Sequence, residues 1–264
     1  MKIISMGWGV QSWTLAAMSA LGELPPIDYC VHADTTWEHE HTYTMAATWG
    51  PWLKSFGIKY ITVSDRAQAQ AVGTMKTDIP AFTVYGPNST RGQLHRQCTG
   101  RWKIQPIRQW TAAELSRQGL SKSKGVVEQW LGITTDEWLR AKDSDVAYIK
   151  HRFPLLDLKM SRADCITWLN AHGLPVPAKS ACVFCPYHNT NAWSALKNAG
   201  GSDWDRAIAV DEAIRNVRPP YPLFVHSSRI PLRNAVAIPK DYGAEQLNLF
   251  DTNLIPCDSG YCFL

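Results

Sequence analysis

Short apolar runs alternate with longer helical patterns over the first 64 residues of this 264-residue chain. Lys2 to Ser5 brings Ile3 and Ile4 to a buried strand, and Ser12 to Leu21 is rich in helix formers, with Gly22 as its C-terminal stop. A second strand is predicted in "IDYCVHAD", Ile27 to Asp34. In "HTYTMAATWGPWLKSF" behind it, Tyr43, Ala46, Trp49, Leu53 and Phe56 recur at helical spacing, and Pro51 is expected to kink or restart that helix. "KYITVS", Lys59 to Ser64, reads as a third strand. The order β, α, β, α, β predicts a parallel sheet covered by helices.

From Asp65 to Arg101 the pattern dissolves into Gly, Pro, Thr, Asn and Gln, which predicts a long functional loop. A helix is expected to start near Pro106, and "VVEQWLGI", Val126 to Ile133, reads as a strand. "TTDEWLRA" behind it has the Thr134 to Glu137 spacing of a capping box. "FPLLDL" precedes "SRADCITWLNAHG", where Ser161 can cap the helix start and Gly173 its end. Beyond Gly173 comes "LPVPAKSACVFCPYHNTNAW", then one amphipathic helix around Trp204 to Ile214 and a remainder read mostly as loop. With no internal repeat or clean linker, residues 181–264 are expected to pack as a lobe on an α/β domain of residues 1–180.

Composition narrows the class. The chain is 45% hydrophobic, ample for a core, and has no run of 18 apolar residues and no signal-peptide pattern at its start. A soluble protein in the cytoplasm, away from membranes, is the expectation. Seven cysteines are an odd number, and a reducing compartment favours metal binding or thiol reactivity over a disulfide framework. The formal charge of +4 permits a nucleotide or nucleic-acid partner without singling one out, and the twelve tryptophans are first of all core material.

The chemistry begins at "GWGVQS", Gly7 to Ser12. A glycine-rich turn between a strand and a helix start aims backbone N–H groups and the helix dipole at one spot, which suits an anion. The alternative is an ordinary turn whose glycines serve geometry alone. Gln11 offers a neutral amide and Ser12 a hydroxyl. A Walker A loop is excluded, because no Gly-Lys-Ser/Thr ending is present, and so is the dinucleotide fingerprint, which needs a third glycine. Asp34, at the end of a strand, can hold a ribose hydroxyl or a metal ion, or cap the next helix.

Cys182 and Cys185 are spaced to reach one metal or cluster, and Cys98 and Cys165 could complete four thiolates. Alternatively Cys165 is a small core hydrophobe and Cys98 a lone thiol. Arg91, His95, Arg96, Arg101 and Lys103 concentrate positive charge around Cys98, as sulfate or phosphate would need. Arg162, Lys179, Arg229 and Arg233 are weaker candidates for the same contacts, with a solvated face as the alternative reading for most of them, and His226 reads as structural. Cys257 and Cys262 in the tail could attack sulfur, ligate a cluster or remain surface thiols.

"SMGWGVQSWTLAAM" resembles the pyrophosphate loop (PP-loop) of the adenine-nucleotide alpha-hydrolase superfamily, whose usual form is Ser-Gly-Gly-x-Asp-Ser. Gly7 and Trp8 replace its first Ser and Gly, Gly9 is retained, and Gln11 replaces Asp, as in phosphoadenylyl sulfate (PAPS) reductases. "DTTWEHEHTY" resembles the Asp-Thr-Gly segment of these reductases, and "CTGRWKIQPI" their Cys-Cys-x-x-Arg-Lys-Val-x-Pro-Leu stretch, with Thr99 for the second cysteine. "FPLLDLKMSRADCITWLNAHGLPVP" and "SACVFC" are similar to later segments in the same order. The resemblance spans about residues 2 to 190.

What the resemblance implies is a Rossmann-like, HUP-type parallel sheet of five or more strands with helices on both faces and a C-terminal cysteine-containing lobe. It implies an adenine nucleotide, with or without magnesium, held by Ser5, Gly7, Trp8, Gly9, Gln11, Ser12, Asp34, Thr35 and Arg101. It further implies a [4Fe–4S] cluster on Cys98, Cys165, Cys182 and Cys185, with zinc as the alternative. Lys103 matches the family lysine, and Cys257 and Cys262 stand where the family keeps its nucleophile, so all three are expected to be catalytic. The expected activity is sulfur chemistry on adenylyl sulfate, PAPS or ATP, with a thiol reductant or sulfur-donor protein as partner. Two alternatives are adenylation and thiolation of a tRNA or DNA base, and a nucleotide-binding protein without catalysis.

Overall fold

The computed structural model describes residues 1–66, 71–74, 77–86 and 90–236. They form two compact units: Met1–Asp65 with Thr99–Ser180, and Arg66–Cys98 with the described residues from Ala181 on. Along the chain come β1 (Lys2–Met6), α1 (Val10–Ala20), β2 (Tyr29–Ala33), α2 (Glu40–Ser55) and β3 (Lys59–Val63), then β4 (Phe82–Tyr85) and β5 (Thr90–Gln93). There follow α3 (Gln105–Arg117), β6 (Val127–Trp130), β7 (Ile149–Arg152), α4 (Pro154–Asp157) and α5 (Arg162–Ala171). Last come α6 (Thr190–Ala199), α7 (Gly201–Ile214), β8 (Leu223–Phe224) and α8 (Leu232–Ala235). Among the described residues no helix is long and apolar enough to cross a membrane.

The first unit is an α/β fold with a five-stranded parallel sheet in the order β3-β2-β1-β6-β7. Successive residues of a strand point to opposite faces. Ile4, Met6 and Cys30 therefore join Trp13 of α1, Leu53 of α2 and Leu169 of α5 in one core. Ile3, Val31 and Val127 join Ile107 and Leu115 of α3 in the other. Burial on both faces is why these strands read as near-continuous apolar runs. At the edge, β7 is "IKHR", with only Ile149 buried, and it carries no such signal.

Three local expectations change. Helix α2 continues through Pro51 as one element. Thr134 makes no side-chain cap, and Thr135–Arg140 is a 3-10 stretch in which the Glu137 carboxylate meets Arg140 at 2.5 Å, both buried. The predicted loop of residues 65–101 contains the antiparallel pair β4 and β5, which β8 extends into a three-stranded sheet. The Ser161 cap holds: its side chain accepts from the Asp164 N–H, and Asp164 answers as a capping box.

In the second unit the Asp211 carboxylate on α7, 1% exposed, accepts from the N–H groups of Val225 at 3.0 Å and Leu232 at 2.9 Å and pairs with Arg215. Removing it leaves Arg215 without its partner and two buried donors unmet. Asp211→Ala is expected to cost about 3–5 kcal/mol in a denaturant melt. A loss below about 1 kcal/mol would contradict the assigned role.

Candidate functional site

Strand β1 ends at Met6 and α1 begins at Val10, so Gly7, Trp8 and Gly9 make the whole turn. Trp8 adopts φ +57°, a region that bulky residues avoid. Its indole is fully buried against Trp13 and Tyr60, and Nε1–H donates to the Tyr60 hydroxyl at 3.1 Å. Burial of the ring offsets the backbone strain, and Gly9 is the partly exposed residue of the turn. Helix α1 has Gly9 as its N-cap and no side-chain cap, so its first-turn N–H groups await water or an anion. Ser12 braces the turn from within: its Oγ accepts from the Gly7 N–H at 3.2 Å and donates to the Gly9 carbonyl at 3.3 Å.

The turn lies at the sheet's switch point, because β1 is flanked by β2 on one side and β6 on the other. Two contacts hold this seam. Gln129 on β6 donates through Nε2 to Ser5 Oγ on β1 at 2.6 Å, which gives Ser5 a buried structural bond. Gly132, just past β6, lies against the start of α1: a Cβ there would sit 2.8 Å from Ser12 N and 3.0 Å from Gln11 C. Only glycine permits that approach. Gly132 escaped the sequence reading, although a glycine closing an apolar strand run is a known sign of close backbone contact.

At the end of β2, Asp34 Oδ1 accepts from the Thr36 N–H at 2.8 Å and the Tyr43 hydroxyl at 2.9 Å. The N-cap of α2 is His39, so Asp34 orders its own loop and does not cap the helix. Burial, with the Asp34 charge, pushes the Tyr43 phenol above its usual range. Buried Thr35 donates to Glu38 Oε1 at 2.9 Å, and Lys103 meets the same oxygen at 3.2 Å. Lys103 stands in the π-helical turn Thr99–Ile104 that leads into α3, with Arg101 exposed on that turn. Burial works to raise the Glu38 carboxyl, but Lys103, His32 and the hydrogen bond from Thr35 prevail and hold it below the usual range. Burial also depresses His32, whose Nδ1–H donates to the Met6 carbonyl at 2.9 Å. Glu38 and His32, absent from the sequence-based candidates, complete this cluster.

The cysteines are differently placed. Cys165 lies in the core with Leu155 and Leu169, where burial pushes its thiol up to about 12. Cys98, Cys182 and Cys185 belong to the second unit, where Cys185 N–H donates to the Cys182 carbonyl at 3.0 Å and His188 N–H to the Cys185 carbonyl at 2.9 Å. Among the described residues no three His, Cys, Asp or Glu side chains gather into a metal-binding group. Cys257 and Cys262 lie outside the described residues.

The basic residues divide as well. Arg91, His95 and Arg96 belong to the second unit and Arg101 and Lys103 to the first, while Arg96 lies over the Tyr187 ring. Arg229 donates to the carbonyls of Thr83, Ser227 and Gly92, a structural clamp, and Arg233 pairs with Glu212 on the surface. On the α3 face of β6 and β7 a cavity of about 610 Å³ is lined by Ile104, Arg108, Gln129, Lys142, Asp145 and His151. That volume suits a small molecule.

No protein-family model matches the sequence, and no curated protein matches it. Among solved structures, the chain is similar to the crystal structure of phosphoadenylyl-sulfate (PAPS) reductase from Candida auris in complex with phosphate. The match has 10% sequence identity and a TM-score of 0.42, and covers 67% of this chain and 74% of that one.

Gly132→Ala is expected to destabilise the protein by about 1–3 kcal/mol through overpacking. Gly100→Ala, whose Cβ meets nothing within 4 Å, should change stability by less than about 1 kcal/mol. Equal effects in paired denaturant melts would refute the close-approach argument. Because the folded state depresses the Glu38 carboxyl, its contribution is complete above about pH 4.3 and is lost as pH falls through the folded value. The stability gap between wild type and Glu38→Gln should therefore narrow on acidification. A gap constant from pH 7 to 3 would count against the Glu38–Lys103 pairing.

Proposed function

We propose that this chain is an adenine-nucleotide-binding enzyme of the PAPS reductase kind, with the nucleotide phosphates on the Gly7–Ser12 turn and sulfur chemistry as its reaction. The observation that carries the reading is the start of α1, without a side-chain cap, at the switch point of a parallel sheet, pressed by Gly132 while the Trp8 ring is buried. Asp34 at the end of β2 suits a ribose hydroxyl. Gln11 in the Asp position of the PP-loop favours a nucleotide already activated over ATP that must first be split.

In the reductase form, a cysteine thiolate attacks the sulfate sulfur and the bond from sulfur to the bridging phosphate oxygen breaks. AMP or its 3′-phosphate departs, and a thiol reductant then releases sulfite from the cysteine adduct. Exposed Arg101 can meet the charge that grows on the leaving phosphate. Lys103, neutralised by Glu38, contributes mainly by fixing the turn that carries Arg101.

Incubation with adenylyl sulfate or PAPS and a dithiol is expected to release sulfite, with nucleotide binding measurable by calorimetry. Pyrophosphate release from ATP on adding tRNA or DNA would favour the adenylating alternative. Failure to bind any adenine nucleotide would overturn the reading.

A further inference from the structure

We infer that Lys179 is the fixed cation of the phosphate site, carried on a strap tied across the turn; the inference rests on the phosphate-binding reading above. Residues Gly7 to Leu21 contain no Lys or Arg, so this stretch itself offers an anion no charged side chain. Such a site commonly recruits a point charge from elsewhere. Two hydrogen bonds tie the strap. The Ser180 hydroxyl donates to the Gly7 carbonyl, and His41 Nε2–H at the start of α2 donates to the Lys179 carbonyl at 3.1 Å. A Cβ on Gly9 would lie 3.6 Å from Ser180 Cβ, which sets the strap in van der Waals reach of the N-cap of α1.

The Lys179 ammonium is buried and has no hydrogen-bond partner among the described residues. This reverses the usual lysine arrangement, in which the stem is covered and the charged head is in water. An enclosed ammonium without an anion is expensive, and the expense is removed when an anion arrives. A second unmet group lies at the root of the same turn. His32, 3% exposed, spends Nδ1–H on the Met6 carbonyl next to Gly7 and leaves Nε2 without a partner. A water donating one hydrogen to Nε2 and the other to a phosphate oxygen would satisfy it. The chemistry the ammonium calls for is a phosphate or phosphosulfate group, with Lys179 as its direct counter-ion.

The test uses the full chain as wild type, Lys179→Met and Lys179→Arg, with ADP, adenosine and inorganic phosphate as probes in calorimetry and thermal melts. Lys179→Met should keep or raise the ligand-free melting temperature, weaken ADP binding at least tenfold, and leave adenosine binding unchanged; Lys179→Arg should recover part of the loss. Should Lys179→Met not fold, Lys179→Gln replaces it in the same comparison. Wild-type affinity for ADP in the neutral variant would overturn the inference while the phosphate reading stands. Equal losses for ADP and adenosine would also overturn it, by showing a merely structural role. A wild type that binds neither ADP nor phosphate would bring down both.

Discussion

The contact between Gly132 and the backbone of Gln11 and Ser12 is the constraint on which the rest of the site depends. It brings the chain leaving β6 directly against the first turn of α1, at the seam where the parallel sheet reverses its winding. With the Gln129–Ser5 bond beneath it, the start of α1 is held in place with its N–H groups uncapped. Trp8 contributes by its position: a buried indole on a left-handed residue anchors the turn from below. The glycines beside it let Ser180 approach, its hydroxyl on the Gly7 carbonyl and its Cβ 3.6 Å from where a Gly9 Cβ would stand. Together these choices give a rigid, main-chain-lined turn, the preorganised form that anion binding at a helix start needs.

A second constraint is electrostatic. Glu38 and Lys103 come from distant segments, the loop after β2 and the π-helical turn before α3, and meet at 3.2 Å with both side chains buried. A buried pair of this kind costs desolvation and gives registration in return. It ties the entry of α3 to the end of β2, where Thr35, Asp34 and His32 also stand. The pair therefore fixes geometry at the carboxyl edge of the sheet, and the exposed charge of Arg101 is carried on the turn it fixes.

Much of this was legible in the sequence where burial is two-sided. Strands β1, β2 and β6 and helices α1, α2, α3 and α5 show in the apolar pattern because each packs into a core shared with its neighbours, and β3 shows through its own apolar residues although it lies at the sheet edge and is only partly buried. The edge strand β7 and the strand β5 did not show, since half or more of their residues are exposed and no apolar period survives, and β4 is too short, at four residues, to stand out from the Gly- and Pro-rich stretch around it. The glycines of the turn were readable as a phosphate motif, yet Gly132 was not, because its partner lies more than a hundred residues earlier. Tertiary pairing likewise decided Glu38, which looked like one acidic residue among several in "DTTWEHEHTY". For Cys165, spacing offered a metal ligand and packing delivered a core side chain.

The central claim is that the uncapped start of α1 receives the phosphates of a nucleotide. Amide NMR of the nitrogen-15-labelled full chain, titrated with ADP and with adenosine, tests it most directly. The account predicts that ADP shifts the amides of Gly9, Val10, Gln11 and Ser12 most strongly and that adenosine leaves them nearly unmoved. Saturable ADP shifts confined to other parts of the chain, with these four amides unchanged, would contradict it.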